Sequence, residues 1–196
     1  MQDGKAALAV SGGTTPLKFF QALSLQNLNW AAVSVTLVDD RWVPESAARS
    51  NAGLVRRHLL KNHAAAARFL PLVTDAPTPE AACALVNQAV AAMPLPFAAV
   101  VLGMGVDGHT ASFFPTGDRL AQALAPAPGV LVETMRAEAA GEPRITLTLP
   151  VLQAADYLAL HVEGDAKRHV LENLTNAMPV SAVLNHQPAP EIFWSP

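Results

Sequence analysis

The sequence predicts an α/β fold: a mostly parallel sheet with helices packed on both faces. Three observations lead there. Short, almost wholly apolar runs recur along the 196 residues, each followed by a glycine-rich or acidic loop and then by a helical pattern. Those runs lack the apolar–polar alternation of a half-exposed strand, as strands covered on both faces do. Apolar residues make up 51% of the chain and charged residues 15%, enough apolar material for the core that such a sandwich needs.

Taken in order, "AALAV" (6–10) reads as a first strand, leading through "SGGTTP" into the helical "PLKFFQALSL". "VSVTLV" (33–38) reads as a second, followed by a polar loop and the helix "NAGLVRRHLL". "FLPLV" (69–73) fits either a short strand or a connection, and the Ala-rich "PEAACALVNQAV" fits a helix. "AAVVL" (98–102) leads into the most glycine-dense stretch of the chain, "GMGVDGHTASFFP" (103–115). Further strands are expected at "VLVETM" (130–135), "RITLTLP" (144–150) and "YLALHV" (157–162), with a helix at "DAKRHVLENL" (165–174) capped by Asp165. The Pro-rich "APTPE" and "APAPG" suit surface connections. The whole predicts a three-layer αβα, Rossmann-like sandwich in a single domain spanning 1–196.

Composition narrows the function. A net charge of −3 argues against a polybasic nucleic-acid binder, and attraction of an anion must come from a few local cations and backbone N–H groups. No apolar run reaches bilayer-spanning length, and "MQDGKAALAV" lacks the regions of a signal peptide, so no membrane partner and a cytoplasmic location are expected. Cys83 stands alone, which excludes an intrachain disulfide and suits a reducing compartment; its apolar surroundings read as the inner face of a helix rather than as a nucleophile's site.

In an open α/β sheet, ligands bind where the loops leave the carboxyl ends of the strands. Three chemically loaded loops follow predicted strands here. Gly12, Gly13, Thr14 and Thr15 precede Pro16 at a helix start, an arrangement whose N–H groups and hydroxyls suit a phosphate; an ordinary turn with a Thr cap fits equally well. The spacing is neither that of a P-loop nor that of the dinucleotide fingerprint. Asp39, Asp40 and Arg41 follow the second strand: Arg41 can grip a phosphate or carboxylate and the acids can fix it or hold sugar hydroxyls, against the alternative of a solvated turn. In the third loop Asp107 and His109 are separated only by Gly108. An imidazole titrates near neutrality, and a neighbouring carboxylate can orient it as a general base. A helix-capping or core histidine is the other reading. Two metal ligands at most are present there, and no HExxH or Cys pair exists, so no metal site is expected. Arg144, at the head of "RITLTLP", and Lys167, in the first turn of a helix where a cation is disfavoured, complete the set as candidate anion contacts.

Together "LAVSGGTTP", "VTLVDDRWVPESAARSN", "VVLGMGVDGHTASFFP", "RITLTLPVL" and "GDAKRHVL" occur in the order and approximate spacing of the 6-phosphogluconolactonases, which the chain resembles from residue 6 onward. The resemblance implies hydrolysis of 6-phospho-D-glucono-1,5-lactone to 6-phosphogluconate in the oxidative pentose phosphate pathway, without metal or organic cofactor. His109 falls on the family's general base and Asp107 on its partner. Arg41, Arg144 and Lys167 fall on substrate- or phosphate-contacting positions, and Gly12, Gly13, Thr14 and Thr15 on the ligand loop. The family's usual Asp-Glu pair is here Asp39-Asp40, which keeps Asp39 and changes the second carboxylate. The related glucosamine-6-phosphate deaminases carry a Glu shortly after the "DGH" loop where this chain has Phe114, which favours the lactonase. A non-catalytic sugar-phosphate sensor is a third reading; it expects a fused DNA-binding segment, which the sequence does not show. Family members usually carry a further helix and strand ahead of the glycine loop. The single domain therefore reads as short at its N-terminus, with an uncovered face or an unpaired sheet edge expected near the first strand and a monomer or homodimer as the assembly.

Overall fold

A computed structural model describes residues 4–196. The chain runs β1 (Ala6–Val10), α1 (Leu17–Ser24), β2 (Val33–Leu37), β3 (Asp39–Arg41), α2 (Asn51–His58), β4 (Arg68–Leu70), α3 (Pro79–Ala91), β5 (Ala99–Leu102), α4 (Leu120–Leu124), β6 (Val132–Met135), β7 (Arg144–Leu147), α5 (Leu149–Gln153), β8 (Leu158–Glu163), α6 (Asp165–Glu172), α7 (Val180–Leu184) and β9 (Glu191–Ser195). Six strands form one sheet in the order β4-β2-β1-β5-β8-β9, parallel at every pairing. The mostly parallel α/β sandwich predicted from the apolar runs is the fold observed. Its inner layer includes Phe20, Leu37, Phe97, Leu102, Phe113 and Leu160, all fully buried.

Several sequence expectations change, among them the strand expected over 144–150, which ends at Leu147 because Leu149 and Pro150 open α5. Residues 39–41, read as a polar loop, are a strand: β3 pairs antiparallel with β7, and β7 with β6, making a second, three-stranded sheet. The short, polar "DDR" shows no strand periodicity. Its strand character comes from a distant partner, which local pattern cannot show. Val38 joins the two sheets, donating its N–H to Val10 and accepting from the Leu147 N–H through its carbonyl (3.0 and 2.9 Å). Another change is at α6, whose N-cap is Gly164 at φ 87° with no side-chain cap; Asp165 lies inside the first turn instead. The ambiguous "FLPLV" supplies the end of β4, and β9 has no counterpart among the strands expected from the sequence.

An apolar trough of about 550 Å³ crosses one face of the large sheet. Residues paired in register share a face, so Leu8 with Ala99, Val101 with Ala159, and His161 with Phe193 lie along its floor, walled by Phe19 and Leu23 of α1. The unpaired edge expected near the first strand is not found, because β1 lies between β2 and β5. Strands β4 and β9 form the edges, and β9 exposes Ile192, Phe193 and Trp194.

A buried carboxylate joins β3 to α2. Asp40 is fully buried, and it accepts three backbone N–H bonds, from Arg41 and Asn51 at 2.8 Å and from Ala52 at 3.0 Å. Ser50 Oγ accepts from the Gly53 N–H at 3.1 Å, so the first N–H groups of α2 are satisfied by two side chains. Burial pushes the Asp40 carboxyl up to about 6, against the opposing pull of the backbone bonds.

The folded protein therefore holds the Asp40 proton more tightly than the unfolded chain. Its contribution to stability is complete below the unfolded pKa of 3.8 and is lost as pH rises through about 6. The stability difference between the parent and Asp40→Asn, from urea midpoints, is expected to shift against the parent by roughly 2 kcal/mol between about pH 4 and pH 7; a pH-independent difference would contradict it. At α3, Thr78 Oγ1 accepts from the Ala81 N–H. Thr78→Ala is expected to lower unfolding stability by about 1 kcal/mol in the same assay, with activity unchanged.

Candidate active site

The loops after β1, β2 and β5 leave a common end of the parallel sheet, and a polar crevice of about 250 Å³ lies between them. It is smaller than the apolar trough, yet the polar groups converge here: Ser11 to Thr15, Asp39, Arg41, Asn51, His109, Arg144 and Lys167 all reach it. Gly12, Gly13, Thr14 and Thr15 after β1 and His109 after β5 meet there as the parallel order of those strands predicts, whereas Asp39, Arg41 and Arg144 arrive on the antiparallel β3–β7 pair and Lys167 on α6. Asp107 stands just behind His109.

His109 Nδ1 lies 2.6 Å from Asp107 Oδ1, and the same oxygen accepts the His109 backbone N–H at 3.2 Å. An ionised carboxylate only accepts, so Nδ1 carries the hydrogen and the lone pair of Nε2 is left for a proton. The pair is partly exposed, which leaves the ring within reach of water. The loop that holds it is closed by the Gly105 N–H to the His109 carbonyl (2.9 Å) and by the Thr110 hydroxyl to the Gly103 carbonyl (2.7 Å). Gly105 lies directly under the ring: a Cβ there would sit 2.3 Å from the imidazole. The ring also meets Phe114, 2% exposed, with centroids 4.5 Å apart.

The cations are held differently from one another. Arg144 is 6% exposed; it donates to the Ala140 carbonyl, faces Asp39 at 3.7 Å and lies over the Phe114 ring at 5.3 Å. Burial lowers its pKa, with Asp39 opposing that shift. Its Nε is buried without a partner among the described residues, as is that of Arg41, whose Nη1 donates to the Arg49 carbonyl. Two crevice guanidinium groups therefore each keep an unpaired donor. Lys167 Nζ reaches Thr15 Oγ1 at 3.3 Å, and burial pulls its pKa down. The lysine in the first turn of α6 and the threonine of the glycine loop thus meet across 152 residues of sequence.

The acidic pair divides its work in a way the residues alone did not reveal. Asp39 stays at the crevice, accepting from Ser112 Oγ at 2.5 Å and facing Arg144 rather than Arg41. Asp40 turns inward to α2 and neither fixes the Arg41 side chain nor reaches sugar hydroxyls. Successive residues of a strand point to opposite faces, so β3 separates the two carboxylates once it is a strand. Asn51 and Ser112 are site residues that no sequence pattern singles out. Their only signal is their place inside the conspicuous motif stretches. Cys83 is half-buried, its thiol pushed up by burial and donating to the Val132 carbonyl, as suits a packing residue. Among the described residues no three His, Cys, Asp or Glu side chains gather as a metal site would need, and no helix is long and apolar enough to cross a membrane.

Comparison with known proteins identifies the family. The model of the glucosamine-6-phosphate isomerases/6-phosphogluconolactonase family matches residues 1–194. The chain is 51% identical over 199 residues to a 6-phosphogluconolactonase of Mesorhizobium japonicum, covering 100% of this chain and 84% of that protein. It is 51% identical over 199 residues to one of Rhizobium meliloti, covering 98% and 86%. A crystal structure of a 6-phosphogluconolactonase from Shewanella baltica superposes with a TM-score of 0.95 at 41% identity, covering 99% of this chain and 85% of that one. With its glycine loop, Asp-His pair and crevice cations assembled on this sheet, the chain belongs to the glucosamine-6-phosphate isomerase/6-phosphogluconolactonase family.

Proposed function

We propose that this protein hydrolyses 6-phospho-D-glucono-1,5-lactone to 6-phospho-D-gluconate, the lactone-opening step of the oxidative pentose phosphate pathway, as a single cytoplasmic domain. The observation that carries the reading is the 2.6 Å Asp107–His109 contact at the mouth of a crevice lined by a glycine loop and three cations. The relatives that match nearly all of the chain are named for this activity.

His109 Nε2 takes a proton from a water whose oxygen attacks the lactone carbonyl, and Asp107 stabilises the imidazolium that forms. The tetrahedral oxyanion is met by the guanidinium of Arg41, which lines the crevice, or by N–H groups of the loops. As the bond from C1 to the ring oxygen breaks, the imidazolium returns its proton to that oxygen. The products are a free hydroxyl at C5 and a carboxylic acid that ionises in solution. No electrons change hands and water is the only co-reactant. The phosphate, far from C1, is held by the Gly12–Thr15 loop with Lys167 and Arg144, and its binding places the carbonyl against His109. Phe114 puts an apolar ring beside the imidazole where the deaminase chemistry calls for a carboxylate.

Generating the lactone in situ and following 6-phosphogluconate through a coupled dehydrogenase tests this. The parent should exceed the uncatalysed rate, and folded His109→Ala should lose about 10²–10⁴-fold of that acceleration. A folded parent no faster than the blank would sink the assignment. Lys167→Met should raise KM for the phosphorylated lactone about tenfold or more while leaving the slow turnover of unphosphorylated gluconolactone unchanged. Incubation with a metal chelator should leave the parent's rate unaltered.

A further inference from the structure

Asn51 is 3% exposed, lines the crevice, and touches three parts of the site at once. Its Nδ2 donates to the Asp39 carbonyl at 2.9 Å, and its backbone N–H donates to Asp40 Oδ1 at 2.8 Å, so β3 grips it twice. Its side-chain amide then lies against the glycine loop. A Cβ on Gly12 would meet Asn51 Oδ1 at 1.8 Å, Cγ at 2.1 Å and Nδ2 at 2.7 Å. The two adjacent glycines are therefore glycine for different reasons. Gly13 has φ 88° with nothing near a Cβ, whereas Gly12 lacks any positive φ and needs its bareness for the Asn51 amide.

We propose that Asn51 is a positioning residue: its amide is the spacer that sets the distance between the Gly12–Thr15 loop and the rim carrying Asp39 and Arg41. This rests on the lactonase reading for the identity of the ligand. A spacer is needed at this point because phosphate and carbonyl are fixed by different elements. The loop after β1 holds one end of the substrate, and β3 with His109 addresses the other. The parallel register between β1 and β2 sets their strands but not the loops beyond them, and β3 belongs to the other sheet. Asn51 closes that gap with one rigid planar group, tied to β3 by hydrogen bonds and to the loop by contact. A role confined to starting α2 would not require the side chain. Ser50 Oγ supplies the cap, and the bond from Asn51 to Asp40 comes from the backbone.

The test is a two-residue cycle read by KM, kcat and calorimetric titration of 6-phosphogluconate into the parent, Asn51→Ala, Gly12→Ala and the double variant. Removing the amide should weaken 6-phosphogluconate binding and raise KM about tenfold, with kcat kept within about threefold. Gly12→Ala should be worse, about 10²-fold in KM, because its methyl is driven into the amide. The double variant should bind more tightly than Gly12→Ala alone, a non-additivity expected only of groups in contact. Asn51→Ser, too short to reach Gly12, should reproduce Asn51→Ala if the latter folds poorly. Unchanged KM and binding in a folded Asn51 variant, or a double variant that is the product of the single effects, would overturn the spacer. A parent that binds 6-phosphogluconate without hydrolysing the lactone removes the lactonase reading and leaves the spacer judged by binding. A parent that does neither refutes both.

Discussion

The buried carboxylate of Asp40 is the joint on which the site turns. Three backbone N–H groups converge on it from two elements, fixing the start of α2 against β3. A charge with no solvent is costly, and the upward push on its pKa reflects that cost. An apolar side chain would remove the charge but orphan three donors, each worth about 1–3 kcal/mol when left buried and unpaired. Given this backbone, the carboxylate is the smaller penalty. What it secures is positional. With α2 locked, Asn51 faces Gly12, and the Arg41 backbone is pinned beside the crevice.

Electrostatics in the crevice follow the same logic of local placement against an unfavourable background. The protein carries a net charge of −3, so its overall field does not draw in a phosphate ester. Three cations from β3, β7 and α6 reach one small volume, and each is restrained differently: Arg41 by a carbonyl, Arg144 by Asp39 and the Phe114 face, Lys167 by Thr15. Burial lowers the pKa of both Arg144 and Lys167, which is the sign of charge held where water solvates it poorly. An anion entering there meets cationic side chains already held in place. Preorganisation of this kind loses little entropy on binding and favours a dianionic group most.

Much of this was legible in the residues because the signals were local. A glycine run after an apolar strand marks a candidate ligand loop, and an Asp and a His one residue apart with glycine around them mark a candidate proton-transfer pair; both statements concern neighbours in sequence. The rest was set by partners far away. "DDR" becomes a strand only because "RITL" pairs with it about a hundred residues on, and that pairing is what sends Asp39 and Asp40 to opposite sides. Asn51 acquires its role from a glycine 39 positions earlier, through contact that no periodicity records. Asp165 is a residue type favoured as a cap, but Gly164 at φ 87° supplies the turn into α6 and takes the cap position. The trough is the converse case: each strand reads as buried on both faces, while the covering of one face depends on what packs over Leu8, Val101 and Ala159.

Phe114 shows how one side chain narrows the chemistry a shared scaffold performs. Its ring contacts both the imidazole of His109 and the guanidinium of Arg144. A carboxylate in that place would pair with Arg144 and offer His109 a second acceptor, dividing the imidazole's hydrogen bonding between two partners. The aromatic ring does neither. It leaves Asp107 as the carboxylate paired with the imidazole and holds Arg144 by its face rather than by its donors. In the proposed mechanism one base with one orienting acid is sufficient, because a single proton is lifted from water and returned to a ring oxygen. An aromatic residue beside the imidazole fits that simpler transfer better than a reaction needing two independently titrating acids.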